Sequence, residues 1–277
     1  MVISRFALGE ASGKLAVDRV FRERFASLGP SKFLQPRQSP MQCASCEIRR
    51  RALFQVVPSE YIQDAQTKRT HQYDLPARRH LYEEGQEASM AYTLYDGWML
   101  LYRAISSGGR QGLRIALPGD FIGFMPEGEA AYHHSALAVS NVVLCGFGQS
   151  DLHEMIDRHS QLSVHINRIQ SRYMASCQDA MLGLGRKTAE QRIAHLIAEL
   201  YFRLLNRHLL QDGATSMPFP LTQELLGDMT GLTAVHTNRV MRKLREDGVL
   251  EPQRQRLDIL DLEKLVAIGE LRRRDVE

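Results

Sequence analysis

The strongest constraint on the fold is a C-terminal stretch with the sequence LTQELLGDMTGLTAVHTNRVMRKLREDGVLEPQRQRLDIL. Thr222 is suited to cap a first short helix, Gly231 to make a tight turn, and Thr233 to cap a second helix. On the second helix Val240 and Leu244 share an apolar face, while the basic residues occupy the outer surface. The two short apolar runs that follow, joined by EPQRQ, predict a two-stranded wing. The stretch therefore predicts a winged helix-turn-helix.

The outer surface of the second helix carries side chains that suit contact with nucleic acid. In a helix-turn-helix this helix enters the major groove, where Asn and Arg hydrogen-bond base edges and Val offers apolar contact, for example to a thymine methyl. Arg side chains on a wing commonly contact phosphate. A solvated basic helix on a small bundle would explain the charge alone, but not its combination with a capped turn and a basic wing. The predicted DNA-binding residues are Thr233, Val235, His236, Asn238, Arg239, Arg242, Lys243 and Arg254.

The composition is that of a folded protein with a small net charge. The chain has 277 residues, of which 44% are hydrophobic and 24% are charged. Its formal net charge is only +3, so a nucleic-acid surface must come from local clustering of Lys and Arg. No apolar run approaches the roughly 20 residues that span a bilayer, and the N-terminal segment lacks the apolar core of a signal peptide. We therefore expect a cytoplasmic protein with no membrane partner.

Enzymatic activity is disfavoured by the motifs that the chain lacks. It contains no P-loop, no GxGxxG after a strand, no HExxH and no GxSxG nucleophile elbow. Its glycines are explained by turns between short strands. We therefore predict that the protein is not an enzyme. A sensor that acts through protein partners without binding DNA is the alternative function, and the basic helix and wing argue against it.

Changes in the pattern of polar and apolar residues along the chain predict four regions of an α+β protein. Residues 1–40 are polar and form an extension, with one short helix around Leu15 to Phe25. Residues 41–150 contain short apolar runs separated by turns, which predict an antiparallel barrel or jelly roll. Residues 151–185 form a long helix, which Gly183 and Gly185 break to give a hinge. Residues 186–277 form the winged helix-turn-helix domain, whose first helix begins with a capping box at Thr188 and Gln191.

A narrow apolar stripe runs along the long helix at spacings of four and three residues. Such a stripe usually packs against the protein's own core. It also suits the seam of a two-helix coiled-coil dimer, so both interpretations remain open. The predicted dimer-interface residues are Leu162, Ile166, Ile169, Tyr173 and Ser176.

The chain from about residue 41 to 270 resembles the CRP/FNR family of bacterial transcription regulators. The resemblance rests on LYEEGQEASMAYTLYDGWMLLYR, LPGDFIGF, RKTAEQRIAHLIAEL and the helix-turn-helix stretch, which occur in the family's order. It implies a cyclic-nucleotide-binding-like β-roll, a long dimerisation helix and a winged helix-turn-helix. It also implies a homodimer that binds double-stranded DNA with two-fold-related half-sites and contacts RNA polymerase. Arg239 keeps its place in the family motif, but the family's Glu is Val235, so the usual half-site is not assumed.

The residues of the predicted roll limit which effectors it can bind. The segment GFMPEGEAAYHHSALAV has no Arg to hold a cyclic phosphate, and cyclic AMP is therefore disfavoured. Cys43, Cys46 and Cys145 are placed as in the oxygen-sensing branch of the family, which implies a [4Fe–4S] cluster. Such a cluster needs four ligands, and the further N-terminal cysteine that those relatives have shortly after the Cys-x-x-Cys pair is absent. A cluster, a zinc or thiol-redox role, and three incidental thiols remain the alternatives.

Overall fold

The protein begins with a roll of two antiparallel sheets, seen in a computed structural model that describes residues 31–58 and 62–272. The two sheets enclose one apolar core, to which Leu94 and Leu144 contribute from the first sheet and Met99 and Leu101 from the second. The first sheet has the strand order β1 (Gln35–Pro36), β2 (Arg69–Leu75), β9 (Val142–Gly148), β4 (Met90–Asp96) and β7 (Phe121–Ile122). The second sheet has the strand order β3 (His80–Tyr82), β8 (Ser135–Ala138), β5 (Met99–Ala104) and β6 (Arg110–Ala116).

The turns between these strands follow the glycine signals in the sequence. Gly97 joins β4 to β5 with a φ of 87°, a conformation that L side chains rarely adopt. A Cβ at this position would lie 2.3 Å from the backbone oxygen of Asn141, so no larger residue fits. The predicted jelly roll is confirmed. Its first strand, β1, pairs with β2 through Gln35 and Asp74, and so lies within the region predicted to be an extension.

Helices flank the roll on its N- and C-terminal sides. Before β2, three short 3-10 turns at Cys43–Ser45, Ile48–Arg51 and Leu53–Val56 precede helix α1 (Ile62–Lys68). After β9 come α2 (Gln149–Arg158), α3 (Ser160–Arg186) and α4 (Ala189–Asn206). The short helix predicted around Leu15 to Phe25 lies outside the described residues. Among the residues described, no helix combines the length and apolar character needed to cross a bilayer.

The predicted break at Gly183 and Gly185 is wrong. Helix α3 continues through both glycines and ends at Arg186, and Lys187 then adopts extended geometry. A glycine in a helix interior costs only about 1 kcal/mol relative to alanine, which the other interactions of a long helix offset. The interruption comes instead from Thr188, whose side chain caps α4 in the predicted capping box with Gln191.

The C-terminal region folds as the predicted winged helix-turn-helix. It contains β10 (Ser216–Pro218), α5 (Gln223–Thr230), α6 (Ala234–Glu246), β11 (Leu250–Gln253), β12 (Arg256–Ile259) and α7 (Leu262–Gly269). The strands form a sheet in the order β10-β12-β11, so the wing has one strand more than the sequence predicted. One apolar core joins this region to the outer face of the roll through Trp98, Leu100, Ile115 and Leu117.

Helix α5 is docked directly on strand β6 of the roll. Arg110 Nε lies 2.6 Å from Asp228 Oδ2, and Arg110 Nη2 lies 3.1 Å from Glu224 Oε1. Gln111 donates a hydrogen bond to the backbone oxygen of Met229 at 3.2 Å. A Cβ at Gly112 would lie 2.4 Å from the sulfur of Met229, so the small residue allows the close approach. The helix-turn-helix is therefore held against the roll by both charge and shape.

Candidate nucleic-acid interface and sensor cavity

Two glycines set the geometry of the helix-turn-helix. Helix α5 ends at Gly231, which has a left-handed φ of 67° and donates its N–H to the oxygen of Gly227. A Cβ at Gly227 would lie 2.5 Å from the backbone oxygen of Leu232, so α5 and the turn approach closely only with glycine there. Thr233 then accepts a hydrogen bond from the N–H of His236 at 3.2 Å and caps α6, as predicted. The turn thus presents the first turns of α6 outward.

The outward face of α6 forms an open depression together with the start of α5. Val235 is 74% exposed, a large apolar exposure for a side chain that none of the described residues covers. Arg242 donates a hydrogen bond to Asn238 Oδ1 at 3.3 Å, which aligns two polar side chains on this face. The depression is lined by Gln223, Ala234, Val235, Asn238, Arg239 and Arg242. Four of the predicted DNA-binding residues therefore lie together on one accessible surface.

Gln223 was missed by the sequence interpretation although it lines the same depression. It is the first residue of α5 and directly follows the capping Thr222. The start of the first helix approaches the second helix only through the tertiary turn, so periodicity gives no indication of its role. Its amide is of the type that hydrogen-bonds adenine edges, which is a chemical signal that the sequence did offer.

The remaining predicted DNA-binding residues lie apart from the depression. Thr233 is engaged as the helix cap, and His236 is exposed beside it. Lys243 forms an ion pair with Glu190 of α4, and this hydrogen bond raises the pKa of Lys243. Arg254 is exposed at the turn between β11 and β12. The structure therefore directs Lys243 towards its own chain.

The stripe predicted as a dimer seam faces the roll of the same chain, which favours the own-core alternative for its most buried members. Leu162 is 0% exposed, Ile166 is 7% exposed, and both belong to the core cluster that contains Phe121 and Phe147. The hydroxyl of Tyr173 donates a hydrogen bond to the backbone oxygen of Phe121 at 3.0 Å. Side chains already buried in this way gain little from a second copy. Ile169 packs partly on the same cluster, and Ser176 is half-buried.

A different face of α3 is apolar and exposed. Met174 is 62% exposed and Met181 is 72% exposed, and Cys177 is exposed between them. These three residues are separated by three and four positions, as at the a and d positions of a coiled coil. This face lies next to the predicted stripe on the helix, and sequence periodicity alone did not distinguish the two.

Asp120 is a buried carboxylate surrounded by three arginines. It is 2% exposed, and its oxygens lie 3.1 Å from Arg114 Nη2, 3.0 Å from Arg203 Nη2 and 2.6 Å from Arg207 Nη2. It also accepts a hydrogen bond from the backbone N–H of Leu117 at 2.8 Å. Burial alone would raise its pKa, but the guanidinium groups outweigh burial and hold the pKa well below its ordinary value. This carboxylate links the roll, which contributes Arg114, to α4.

A cavity of about 630 Å³ lies between the roll and helices α2 and α3. Glu127, Glu129 and Asp157 contribute carboxylates to its wall, and no Lys or Arg is found among its lining residues within the described ranges. Burial, with help from the neighbouring His133, lowers the pKa of His134 to about 4, so His134 is neutral at physiological pH. The electrostatic character of this cavity is unfavourable for an anion.

The three predicted metal ligands occupy one neighbourhood but do not fit a cluster. Arg69 approaches Cys43 Sγ at 3.8 Å, and Gln72 approaches Cys145 Sγ at 3.6 Å. Burial raises the pKa of Cys43 and raises that of Cys145 to about 11, so both thiols are protonated at neutral pH when no metal is bound. Among the described residues, no group of three His, Cys, Asp or Glu is placed to hold a metal ion. The [4Fe–4S] cluster, one of the three alternatives for these cysteines, is therefore not supported by this arrangement, and a fourth thiolate is also lacking beside them.

A β-roll followed by a long helix and a winged helix-turn-helix defines a DNA-binding transcription regulator. Residues 73–159 match the model of the cyclic nucleotide-binding domain, and residues 191–268 match the Crp-like helix-turn-helix domain. The chain is 30% identical over 190 residues to the nitrogen fixation regulation protein FixK of Rhizobium meliloti, covering 68% of this chain and 82% of that protein. The chain belongs to the CRP/FNR family of transcription regulators.

Further similarities agree with this assignment. The transcriptional activator protein FnrL of Cereibacter sphaeroides is 28% identical over 211 residues, covering 76% of this chain and 84% of that protein. The solved structure of FixK2 from Bradyrhizobium japonicum superposes with a TM-score of 0.64 at 23% identity, covering 73% of this chain and 98% of that one. These relatives carry the names of regulators rather than enzymes, and the structural likeness shows the fold.

Proposed function

We propose that the protein is a homodimer that binds duplex DNA with two-fold-related half-sites and contacts RNA polymerase. The observation that carries the proposal is the accessible depression on α6, which exposes Val235, Asn238, Arg239 and Arg242 together. Asn and Arg supply the hydrogen-bonding groups that read base edges, and Val235 supplies an apolar contact. A two-fold dimer would place the two copies of α6 in successive major grooves.

The dimer interface in this proposal is the exposed face of α3 formed by Met174, Cys177 and Met181. Two copies of this face would bury methionine side chains that are otherwise in water, at about 25 cal/mol for each Å² of apolar surface. The 3-4 spacing suits the left-handed packing of two parallel helices. The remainder of the predicted seam, Ile169 and Ser176, would border this face rather than form its centre.

The proposed effector site is the 630 Å³ cavity between the roll and α3. Its carboxylates favour a neutral or cationic effector, because an anion would be repelled by Glu127, Glu129 and Asp157. This supports the expectation that cyclic AMP is not the effector. An effector held between the roll and α3 would contact the helix that carries the dimer face, which gives a route from effector binding to DNA affinity.

The test measures the binding of full-length protein to a duplex obtained by selection from random sequences, using fluorescence anisotropy. We expect Arg239→Ala to weaken binding at this site by about 1–3 kcal/mol, with its fold unchanged. Arg245→Ala is the matched control, because Arg245 lies on the same helix but is paired with Glu251 at 2.7 Å. Equal affinities of Arg239→Ala and the parent would refute the base-reading role. Failure to select any duplex would favour the alternative, a sensor that acts through protein partners.

A further inference from the structure

A second cavity, distinct from the proposed effector site, is walled by arginines. It has a volume of about 370 Å³ and lies between the 3-10 turn Ile48–Arg51, α3 and α4. Its carboxylates are Asp179 and Glu199, and Asp120 is buried against part of its wall. With His neutral, the arginines exceed these carboxylates by three charges. The arginines are Arg50, Arg51, Arg114, Arg172, Arg203 and Arg207.

The inner wall of this arginine cavity is rigid and incompletely satisfied. Arg114, Arg203 and Arg207 are fixed by Asp120, and Arg114 also stacks over the ring of Tyr173 at 4.0 Å. The Nε of Arg114 is nevertheless buried without a hydrogen-bond partner. Buried polar groups in native proteins almost always have a partner, so this nitrogen belongs to a guanidinium group that the described residues do not fully satisfy. Glu199 lies 3.5 Å from Arg203, so Asp120 and Glu199 together leave one positive charge on these three arginines.

The outer wall adds three guanidinium groups and one carboxylate, that of Asp179. Arg50, Arg51 and Arg172 form no ion pair with any residue in the described ranges. Three guanidinium groups around one cavity repel each other unless an anion lies between them. Guanidinium groups bind the oxygens of phosphate in a bidentate manner, which makes arginine the preferred residue for such sites.

We propose that the arginine cavity binds a small polyanion that carries a diphosphate group. The inner arginines would hold one phosphate, and Arg51 and Arg172 would contact the other. Because the wall combines residues of the 3-10 turn, the roll, α3 and α4, the bound polyanion would link these four parts and stabilise their arrangement. The proposal does not depend on the proposed function, since it concerns residues outside the depression on α6.

The test is isothermal titration calorimetry of the full chain with inorganic pyrophosphate at low ionic strength, with ADP as a second titrant. We expect saturable binding of pyrophosphate, and a loss of about tenfold or more in affinity for Arg172→Gln, because a hydrogen bond to a charged group is removed. ADP binding with equal affinity would assign the diphosphate group itself as the recognised element. Tighter ADP binding would assign a nucleotide as the source of that group.

The control is Arg168→Gln, one turn earlier on α3 and outside the cavity. It should bind pyrophosphate like the parent, and so should Arg239→Ala, whose defect concerns DNA alone. Absence of saturable binding, or equal weakening by both α3 variants, would overturn the proposal. It would also be overturned if Arg172→Gln changed the monomer–dimer equilibrium without pyrophosphate, since a second copy of the chain would then fill the cavity.

Discussion

Asp120→Asn removes the charge of one buried carboxylate while preserving its shape. Asp120 is 2% exposed and lies within 3.1 Å of guanidinium nitrogens on three arginines. The variant leaves Arg114, Arg203 and Arg207 close together without the carboxylate that they share, and among the described residues only Arg203 keeps another ion-pair partner, Glu199 at 3.5 Å. Removing one partner of a buried ion pair typically costs about 3–5 kcal/mol, because the remaining charge stays desolvated and unpaired. We therefore expect the free energy of unfolding to fall by this amount at neutral pH.

Thermal unfolding followed by circular dichroism measures this loss. For a chain of this size, a loss of 1 kcal/mol in the free energy of unfolding lowers the midpoint temperature by about 2–4 °C. The midpoint should therefore fall by roughly 10 °C. The matched control is Asp96→Asn, because Asp96 is exposed at the end of β4 and should tolerate the same substitution. A loss below about 1 kcal/mol in Asp120→Asn, the range of surface ion pairs, would refute the argument that this cluster is a stabilising centre.

The pH dependence of this difference is fixed by the depressed pKa of Asp120. Its contribution to stability is fully present above the pKa of an aspartate in the unfolded chain, about 3.9. It is lost as the pH falls from there through the lower pKa of the folded protein. The difference in the free energy of unfolding between the parent and Asp120→Asn should therefore be the same at pH 7 as at pH 5. It should shrink only in more acidic solution. A difference that disappears between pH 7 and pH 5 would contradict this assignment.

Three further predictions concern the dimer, the docked helix and the cysteines. Met181→Asp should give monomers in analytical ultracentrifugation because like charges would meet at the proposed interface, whereas Ile105→Asp on an exposed hairpin should stay dimeric. Arg110→Ala should speed hydrogen exchange in α5, because the ion pairs to Asp228 and Glu224 are lost; unchanged exchange would argue against docking by charge. Changing Cys43, Cys46 and Cys145 together to Ser should leave DNA binding unaltered with and without oxygen. An air-sensitive visible absorbance of the parent that disappears in this triple variant would instead show a cluster.

The elements of the helix-turn-helix were predictable because their signals are local. Thr188, Thr222 and Thr233 each lie beside the apolar pattern of the helix that they cap, and Gly231 lies at the turn. Capping and turn formation depend on a few neighbouring residues, so the sequence contains the whole of the relevant chemistry. The same holds for the Asp96-Gly97 turn of the roll.

The features that the sequence did not reveal all depend on distant residues. The stripe of Leu162 and Ile166 has the same periodicity whether it meets its own roll or a second copy, and only the folded chain shows that it meets the roll. The pairing of Arg110 with Asp228 joins residues far apart in sequence. The arginine cavity likewise gathers side chains from four separate segments, and no spacing rule connects them.

The central claim, that a dimer reads two related half-sites through α6, is tested most directly by the sequences that the full-length protein selects from random duplexes. We expect an enriched site with two-fold-related halves whose centres are about one helical turn apart, roughly 10 base pairs. Selection repeated with Val235→Glu should change the preferred base at the same position in both halves, because Glu accepts a hydrogen bond from cytosine. A single asymmetric site, or one that is unchanged by Val235→Glu, would contradict the claim.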